Sequence, residues 1–244
     1  MTLPSSIKQP KISVLLSVCN GEKYLHDAMR SILGQTFHDF EFIIIDDGST
    51  DSSLHIIKSF KDKRIKLIHH NKTMGLPKSL NEGIEKSRGK YIARMDSDDI
   101  ALPYRLQTQY DWMNEHPEVG LMGSWVVLME DLKGKIWQYP LKQNEIACSF
   151  PFFNPFAHPS VMFRKDLFNQ HKLRYNTAFP KAQDYELWSR AVRFFPCANI
   201  PQVLLQYRVS RKKIVYDTTH QDYPAKFRQL YLRQVFKRQF TNSD

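Results

Sequence analysis

Cysteine is scarce in this chain. Cys19, Cys148 and Cys197 are the three it has among 244 residues, far apart and odd in number. Such a set offers neither a disulfide framework nor a zinc ligand group, and reads as three buried, reduced thiols. Long apolar runs are missing too. Stretches such as Ile12–Val18 and Phe40–Ile45 are strand-sized, far short of the ~20 residues a membrane-spanning helix needs. Residues 1–11 hold no apolar signal-peptide core, so the expected compartment is cytoplasmic. Two phosphate-binding devices are also absent. No G-x-G-x-x-G turn follows the first apolar run, and no G-x-x-x-x-G-K-[ST] loop occurs anywhere. A protein that binds a diphosphate without either needs a cation. No internal repeat and no low-complexity tract is visible.

What is present suits a folded, basic protein. Hydrophobic residues make up 42%, enough for an ordinary core. The net charge of +10 selects anionic partners: nucleic acid, anionic lipid or phosphorylated substrates. Residues 211–244 carry eight Lys or Arg against three Asp, half of that net charge.

The first hundred residues alternate strand and helix signals. Apolar runs at Ile12–Val18, Phe40–Ile45, Arg64–His69 and Tyr91–Met95 are separated by helical spacing at Glu22–Leu33, Ser52–Phe60 and Leu76–Ser87. Continuous apolar strands alternating with helices predict a parallel sheet covered on both faces, an α/β domain. Pro103 opens a further helix to about His116. Beyond it the pattern loosens: a strand over Gly120–Met129, irregular loop over 138–160, a short strand at Val161–Arg164, a helix over Asp184–Phe195 and a strand at Pro201–Arg208.

Ligands of open parallel sheets bind beyond the carboxyl ends of the strands. Those ends read Ser17-Val18-Cys19-Asn20-Gly21-Glu22, Asp46-Asp47-Gly48-Ser49-Thr50-Asp51, Asn71 to Gly75, and Asp96-Ser97-Asp98-Asp99. Carboxylates and amides thus share one rim, which suits a ribose or base together with a metal. In an extended segment residues i and i+2 face the same way, so Asp96 and Asp98 both point into the cleft. Mg²⁺ and Mn²⁺ take such hard oxygen ligands along with substrate phosphates. A calcium loop is excluded: counting from Asp96, position six is Ala101 and position twelve is Gln107. The plainer reading of these acids is a strand-end turn that caps the next helix. Of Asp46 and Asp47, one points to the rim, and the pattern leaves open which.

Three further features carry chemistry. Asp184 opens an amphipathic helix; it is either a first-turn acid or a base that takes a proton from an acceptor hydroxyl. His158 lies in a loop, where it contacts phosphate or acceptor if it has a function. Phe150, Phe152, Phe153, Phe156 and Trp188 divide between stacking on sugar rings and filling the core.

Taken in order, these phrases resemble the family-two inverting glycosyltransferases of the GT-A fold. The shared phrases are Ile12–Asn20 with Tyr24-Leu25, Gln35-Thr36-Phe37, Ile45–Asp51, Asn71…Gly75-Leu76…Leu80-Asn81, Gly89–Ile100, Pro103…Arg105, Val119–Gly123, His158–Arg164, Asp184–Trp188 and Tyr207-Arg208. Within that family, Lys135-Ile136-Trp137, Pro151–Pro155 and Leu173–Asn176 are most similar to bacterial lipooligosaccharide β-1,3-N-acetylhexosaminyltransferases.

The resemblance implies a Rossmann-like α/β domain over 1–210 with a mixed, mostly parallel sheet. Its nucleotide-binding half spans about 11–100 and its acceptor half about 101–210. It implies transfer from a nucleotide-diphosphate sugar (UDP-GlcNAc, UDP-GalNAc or UDP-Gal) to a saccharide or lipid-linked acceptor, with Mn²⁺ or Mg²⁺, in lipopolysaccharide biosynthesis. Ser17, Val18, Asn20, Glu22 and Asp47 line the nucleoside pocket on this reading. Asn81, Arg94, Asp96 and Ser97 lie near ribose or diphosphate, Asp98 and Asp96 hold the metal, and Asp184 is the base. His158 and Trp188 face acceptor or phosphate. Three departures stand out: Gln183 where the family has Glu, His158-Pro159-Ser160 for His-Asn-Asn, and Ser210 for the His of Tyr-Arg-x-His.

The basic end, residues 211–244, reads as a tail. Tyr223–Phe240 has helical spacing, with Lys226, Arg233 and Lys237 on one stripe and Phe227, Leu230, Tyr231 and Val235 on another. That pairing suits either the surface of an anionic membrane or packing on the domain. Nucleic acid is disfavoured, because the ligand rim is acidic and no basic stripe with aromatics crosses the sheet. A catalytically silent sugar-nucleotide-binding module is countered by Asp98 and Asp184. A nucleotidyltransferase lacks its Gly-rich Lys/Arg loop near Ile12–Tyr24.

Overall fold

The computed structural model describes residues 9–209, and the expected basic tail lies outside the described residues. The first apolar runs become strands β1 (Ile12–Val18), β2 (Phe40–Asp47), β3 (Ile65–His70) and β4 (Tyr91–Met95). They pair in parallel in the order β3-β2-β1-β4, with Ile12 beside both Phe40 and Tyr91. Every residue of β1, β2 and β4 is buried, whereas the edge strand β3 is half exposed.

Alternation along these strands builds two cores. Val14, Leu16, Phe42 and Ile44 point to one face, where helices α1 (Leu25–Leu33), α2 (Ser53–Ser59) and α4 (Arg105–Glu115) bring Met29, Ile57 and Leu106. Leu15, Ile43 and Ile45 point to the other, beneath Leu80 and Ile84 of α3 (Leu76–Lys86). Burying each such side chain contributes about 2 kcal/mol. Gly83 lets α3 sit close: a Cβ there would lie 2.1 Å from the Leu15 Cδ1 atom.

The second half continues the same sheet with mixed pairing. Strands β8 (Met162–Arg164), β6 (Leu121–Met129), β9 (Cys197–Arg208) and β5 (Ile100–Ala101) follow β4 in that order, and the two-residue β7 (Ile136–Trp137) pairs with β6. β8 runs antiparallel to β4 and β6, while β6 and β9 are parallel. The strand expected from Pro201 begins four residues earlier, at Cys197, and runs through the proline. Pro201 has no N–H to give the ladder, and the pairing steps from Ser124–Ile200 to Trp125–Val203 across it.

Two expectations need correction, and one helix was not expected. The stretch read as irregular loop contains helix α5 (Gln143–Ser149) and a 3-10 turn at His158–Ser160. Glu145 starts α5 by accepting from the Leu141 and Lys142 backbone N–H groups. Helix α6 (Lys165–Gln170) had no reading at all; it seats Phe168 in the second core beside helix α7 (Gln183–Ala191). Of the thiols read as buried, Cys19 and Cys148 are exposed and only Cys197 is inside. Among the described residues no helix is long and apolar enough to cross a membrane.

Candidate active site

The carboxyl ends of β1, β2 and β4 meet on one rim, and two loops there are laced together. Asn20, at φ 56°, accepts the Thr50 N–H on its side-chain oxygen at 2.8 Å and gives its own N–H to the Ser49 hydroxyl. The Glu22 carboxylate accepts the Ser52 N–H at 2.9 Å, and Asp51 returns the contact by accepting the Glu22 N–H. Gly21 has no room for a side chain: a Cβ would fall 2.5 Å from Val18 and 3.3 Å from the Ser97 hydroxyl. The β1 loop therefore lies directly against the Asp96-Ser97-Asp98 loop. Ser17 and Val18 are buried beneath it, and Asn20 and Glu22 are exposed.

Both aspartates at the end of β2 turn inward, so the expected choice between them has a different outcome. Asp46 accepts the Ser49 N–H and pairs with His69. Asp47 accepts His70 Nδ1 at 2.7 Å and the Met74 and Gly75 N–H groups at 2.8 Å, which seats the start of α3. Burial works against the Asp47 charge, yet His70 and those two N–H groups hold its carboxyl below the usual value. Its oxygens thereby tie the end of β2 to the start of α3.

Asn81 is also redirected. Its amide clips the backbone of Tyr175 twice, donating to the carbonyl at 2.8 Å and accepting the N–H at 2.9 Å. Tyr175 in turn presents its hydroxyl to His158 Nε2 at 2.9 Å. Burial, then the Arg94 charge, pushes the His158 ring well below its usual range, so it stands neutral. His158 is thus a buried member of the 3-10 turn, not a loop contact to phosphate. Trp188 is 0% exposed, wedged among Phe163, Phe168 and Tyr175. No acceptor reaches its ring. Phe150 and Phe156 are core as well, while Phe152 and Phe153 stand exposed.

The acidic loop after β4 is the electrostatic centre. The carboxylates of Asp96, Asp98 and Asp99 each offer an oxygen, and these oxygens lie within 4.8 Å of one another. Asp96 pairs with the buried Arg94 guanidinium, whose Nε finds no acceptor among the described residues. Arg105, also fully buried, donates to the Arg94 carbonyl at 2.7 Å and fixes the end of β4. Asp99 is 0% exposed. Burial, then the charges of Asp96 and Asp98, lift its carboxyl well above the usual range. Like charges packed this closely oppose one another, and a cation relieves them.

Arg208, at the end of β9, clasps this loop. Its backbone N–H reaches Asp99 Oδ1 at 2.7 Å and its Nε reaches the Asp98 carbonyl at 2.8 Å. Its guanidinium lies 3.8 Å above the Tyr24 ring and donates to Glu130 Oε1 at 2.8 Å. The same Glu130 oxygen accepts the Tyr24 hydroxyl, from a backbone held at φ 61°. A non-glycine residue in that region carries strain, paid back by its neighbours. The sequence showed Tyr207-Arg208 but no partner for it, since 110 positions separate Arg208 from Asp98.

Asp184 enters from the first turn of α7, half-buried. Asn154 donates to its Oδ2 at 2.7 Å. Burial raises the Asp184 carboxyl above its usual value, although the Tyr185 N–H, the Arg94 charge and Asn154 pull the other way. Asp184 and Asp96 share a neighbourhood. Burial raises the phenols of Tyr175 and Tyr207, and the charges of both Asp184 and Asp96 act on each of them. The two carboxylates therefore act on the same two phenols.

A family description, glycosyl transferase family 2, fits residues 13–187. The chain belongs to that family. This family 2 glycosyltransferase is 36% identical over 211 residues to the O-antigen biosynthesis glycosyltransferase WbnJ of Escherichia coli, covering 82% of this chain and 80% of WbnJ. It is 35% identical over 207 residues to the amylovoran biosynthesis glycosyltransferase AmsE of Erwinia amylovora, covering 80% of this chain and 75% of AmsE. An uncharacterized glycosyltransferase of Haemophilus influenzae is 34% identical over 212 residues, and the match takes in 82% of this chain but 66% of that protein.

Among solved structures, S. aureus TarS in complex with UDP-GlcNAc superposes with a TM-score of 0.71 at 19% identity, over 82% of this chain and 59% of TarS. The mannosyltransferase of Pyrobaculum calidifontis in complex with GDP-Man and Mn²⁺ gives 0.67 at 16% identity, over 98% of this chain and 66% of that one. At these identities the likeness establishes the fold, GT-A.

The family 2 enzyme's acidic loop fits a hard divalent cation on chemical grounds. It offers carboxylate oxygens alone, gathered in one place, with Asp99 Oδ2 buried and without a donor among the described residues.

Proposed function

We propose that this enzyme moves a hexose or N-acetylhexosamine from a UDP-linked donor to a hydroxyl of a saccharide acceptor, inverting the anomeric centre. Two observations support this reading: Asp184 is raised by burial and held by Asn154, and the Asp96-Ser97-Asp98 cluster is held by Arg208, with Tyr175 and Tyr207 feeling the charges of both Asp184 and Asp96. Asp98 and Asp96 would hold Mn²⁺ or Mg²⁺. When bound, that ion supplies neutralising charge for a departing diphosphate.

The chain's own groups do the rest. Asp184 takes the proton of the acceptor hydroxyl while that oxygen forms its bond to the anomeric carbon. The bond from that carbon to the diphosphate breaks, and the leaving group departs with the electron pair. A carboxylate whose proton affinity is raised suits this base role near neutral pH. Asn154 keeps the carboxylate aimed, and Arg94 places positive charge beside Asp96. Asn20, Glu22 and Ser97, which reach the surface while Ser17 and Val18 are buried, would face the donor.

Donor choice follows the TarS complexes with UDP and UDP-GlcNAc, and cell-surface polysaccharide follows the names of the O-antigen and amylovoran relatives. A lipid-linked acceptor at the inner membrane surface accords with the basic residues of 211–244. The test is a heat-shift screen with UDP, GDP, CDP and dTDP sugars, with and without Mn²⁺. A ligand that binds only the folded chain raises its melting point. A UDP-sugar shift that needs the metal supports the reading; the absence of any nucleotide shift refutes it.

A further inference from the structure

Close to Asp184 lies a cavity of about 330 Å³, lined by Ile136, Trp137, Gln138, Tyr139, Phe153 and Asn154. We propose that it holds a pyranose ring of the acceptor, stacked on Trp137 and Phe153. The proposal rests on the transferase reading above and deepens it.

Asn154 belongs to both places. It lines the cavity, and its amide donates to Asp184 Oδ2 at 2.7 Å. A molecule in the cavity therefore lies one side chain away from the base. Trp137 makes a second link. Its ring packs at 6.0 Å on Tyr207, whose phenol feels Asp96 and Asp184. Two of its lining side chains thus touch residues next to the chemical centre: Asn154 bonds Asp184, and Trp137 packs on Tyr207.

Its lining is uncharged and mixes apolar faces with amides. Ile136 and Phe153 are 50% exposed and Trp137 is 37% exposed, an unusual concentration of apolar surface around one hollow. The two-residue strand β7 sets Trp137 opposite Val126 of β6 and so fixes the indole in place. Gln138 and Asn154 supply amides beside these faces, and no charged residue lines the cavity. Aromatic faces take the C–H faces of a sugar while amides take its hydroxyls. A phosphate would find no cation there. An acyl chain would leave the amides without partners. A neutral pyranoside satisfies both surfaces.

The test uses the full chain, UDP, Mn²⁺ and a panel of methyl pyranosides: β-galactoside, β-glucoside, N-acetyl-β-glucosaminide and N-acetyl-β-galactosaminide. Binding is read by saturation-transfer NMR. UDP binding is read separately by heat shift, and folding by circular dichroism. We expect at least one pyranoside to bind. Its affinity should fall about tenfold in Trp137→Ala and in Phe153→Ala, as expected for the loss of one aromatic stacking face. Trp137→Phe, which keeps a ring, should restore most of it. Loss of UDP binding in the parent chain would strike the donor reading, while pyranoside binding would still report on the cavity. Pyranoside affinities within twofold of the parent in both alanine variants overturn the proposal. So does a parent chain that binds UDP and none of the panel, or one that takes up octyl phosphate in place of sugar.

Discussion

Asn154 and Asp184 lie 30 positions apart in sequence and 2.7 Å apart in space, joined by one hydrogen bond from amide to carboxylate. The Phe156 N–H donates to the Asn154 side-chain Oδ1 at 3.3 Å, so the amide is held from behind. That bond favours the charged form of Asp184, whereas burial disfavours it.

Asn154→Ala removes one of the contacts that oppose burial, leaving backbone N–H groups and the Arg94 charge to do so. The acidic limb of the rate profile, set by ionisation of Asp184, is expected to move to higher pH. Turnover at neutral pH falls with it. A pH series of kcat on the parent and the variant checks this; a limb that stays put or moves down contradicts it.

Arg208 joins the end of β9 to the acidic loop. Arg208→Ala keeps the backbone bond to Asp99 but removes two guanidinium bonds, to the Asp98 carbonyl and to Glu130, of roughly 1.5–3 kcal/mol each for a charged donor. The melting point is expected to drop, and the metal concentration needed for donor binding to rise about tenfold or more. Arg208→Lys should recover little, since an ammonium cannot replace the fork of a guanidinium. Calorimetric titration of Mn²⁺ with UDP present measures both variants.

His70 sits between Asp47 and Glu82, at 2.7 and 2.8 Å. Burial works against its charged ring, yet the two carboxylates hold its pKa above the usual 6.5. A folded-state value above the unfolded one means that protonation favours the folded chain. This contribution is complete below pH 6.5 and is lost as the pH rises through the raised value. The difference in melting point between roughly pH 5.5 and about pH 8 should narrow in His70→Gln. Parallel melting curves across that range provide the check.

Lys226, Arg233 and Lys237 share one stripe of a predicted helix. Each cation near an anionic bilayer is worth about 1 kcal/mol, so changing all three to Gln should weaken binding to anionic vesicles roughly a hundredfold. Turnover of a soluble acceptor should change little. Vesicle co-sedimentation with and without anionic lipid separates this from packing on the domain, which predicts equal vesicle binding and a lower melting point.

The parallel half of the fold was legible because each of its strands is a continuous apolar run and each helix has a clear buried stripe. Ile12–Val18 and Leu76–Lys86 fall within a residue of their expected bounds. The acidic loop was legible for a related reason: Asp96, Ser97, Asp98 and Asp99 are adjacent, and their strand ends where ligands bind. The second half was not. The helix at Lys165–Gln170 and the strand at Ile136–Trp137 are too short for any period to show. They exist because Phe168 and Trp137 have neighbours to pack on. Asp47 and Asn81 carry the right residue types for a ligand rim, yet their polar atoms are taken up by Gly75 and Tyr175, which no local pattern reveals. Trp188 shows helical spacing suited equally to a core and to a binding face, and packing assigned it to the core.

The central claim is that Asp184 accepts the acceptor's proton while the acidic loop serves the leaving group. Its most direct test is turnover of Asp184→Asn at saturating UDP-sugar, Mn²⁺ and acceptor, with UDP affinity measured on the same preparation. The account predicts a fall in kcat of about 10²–10⁴-fold with UDP affinity kept. Turnover within a few fold of the parent would contradict it.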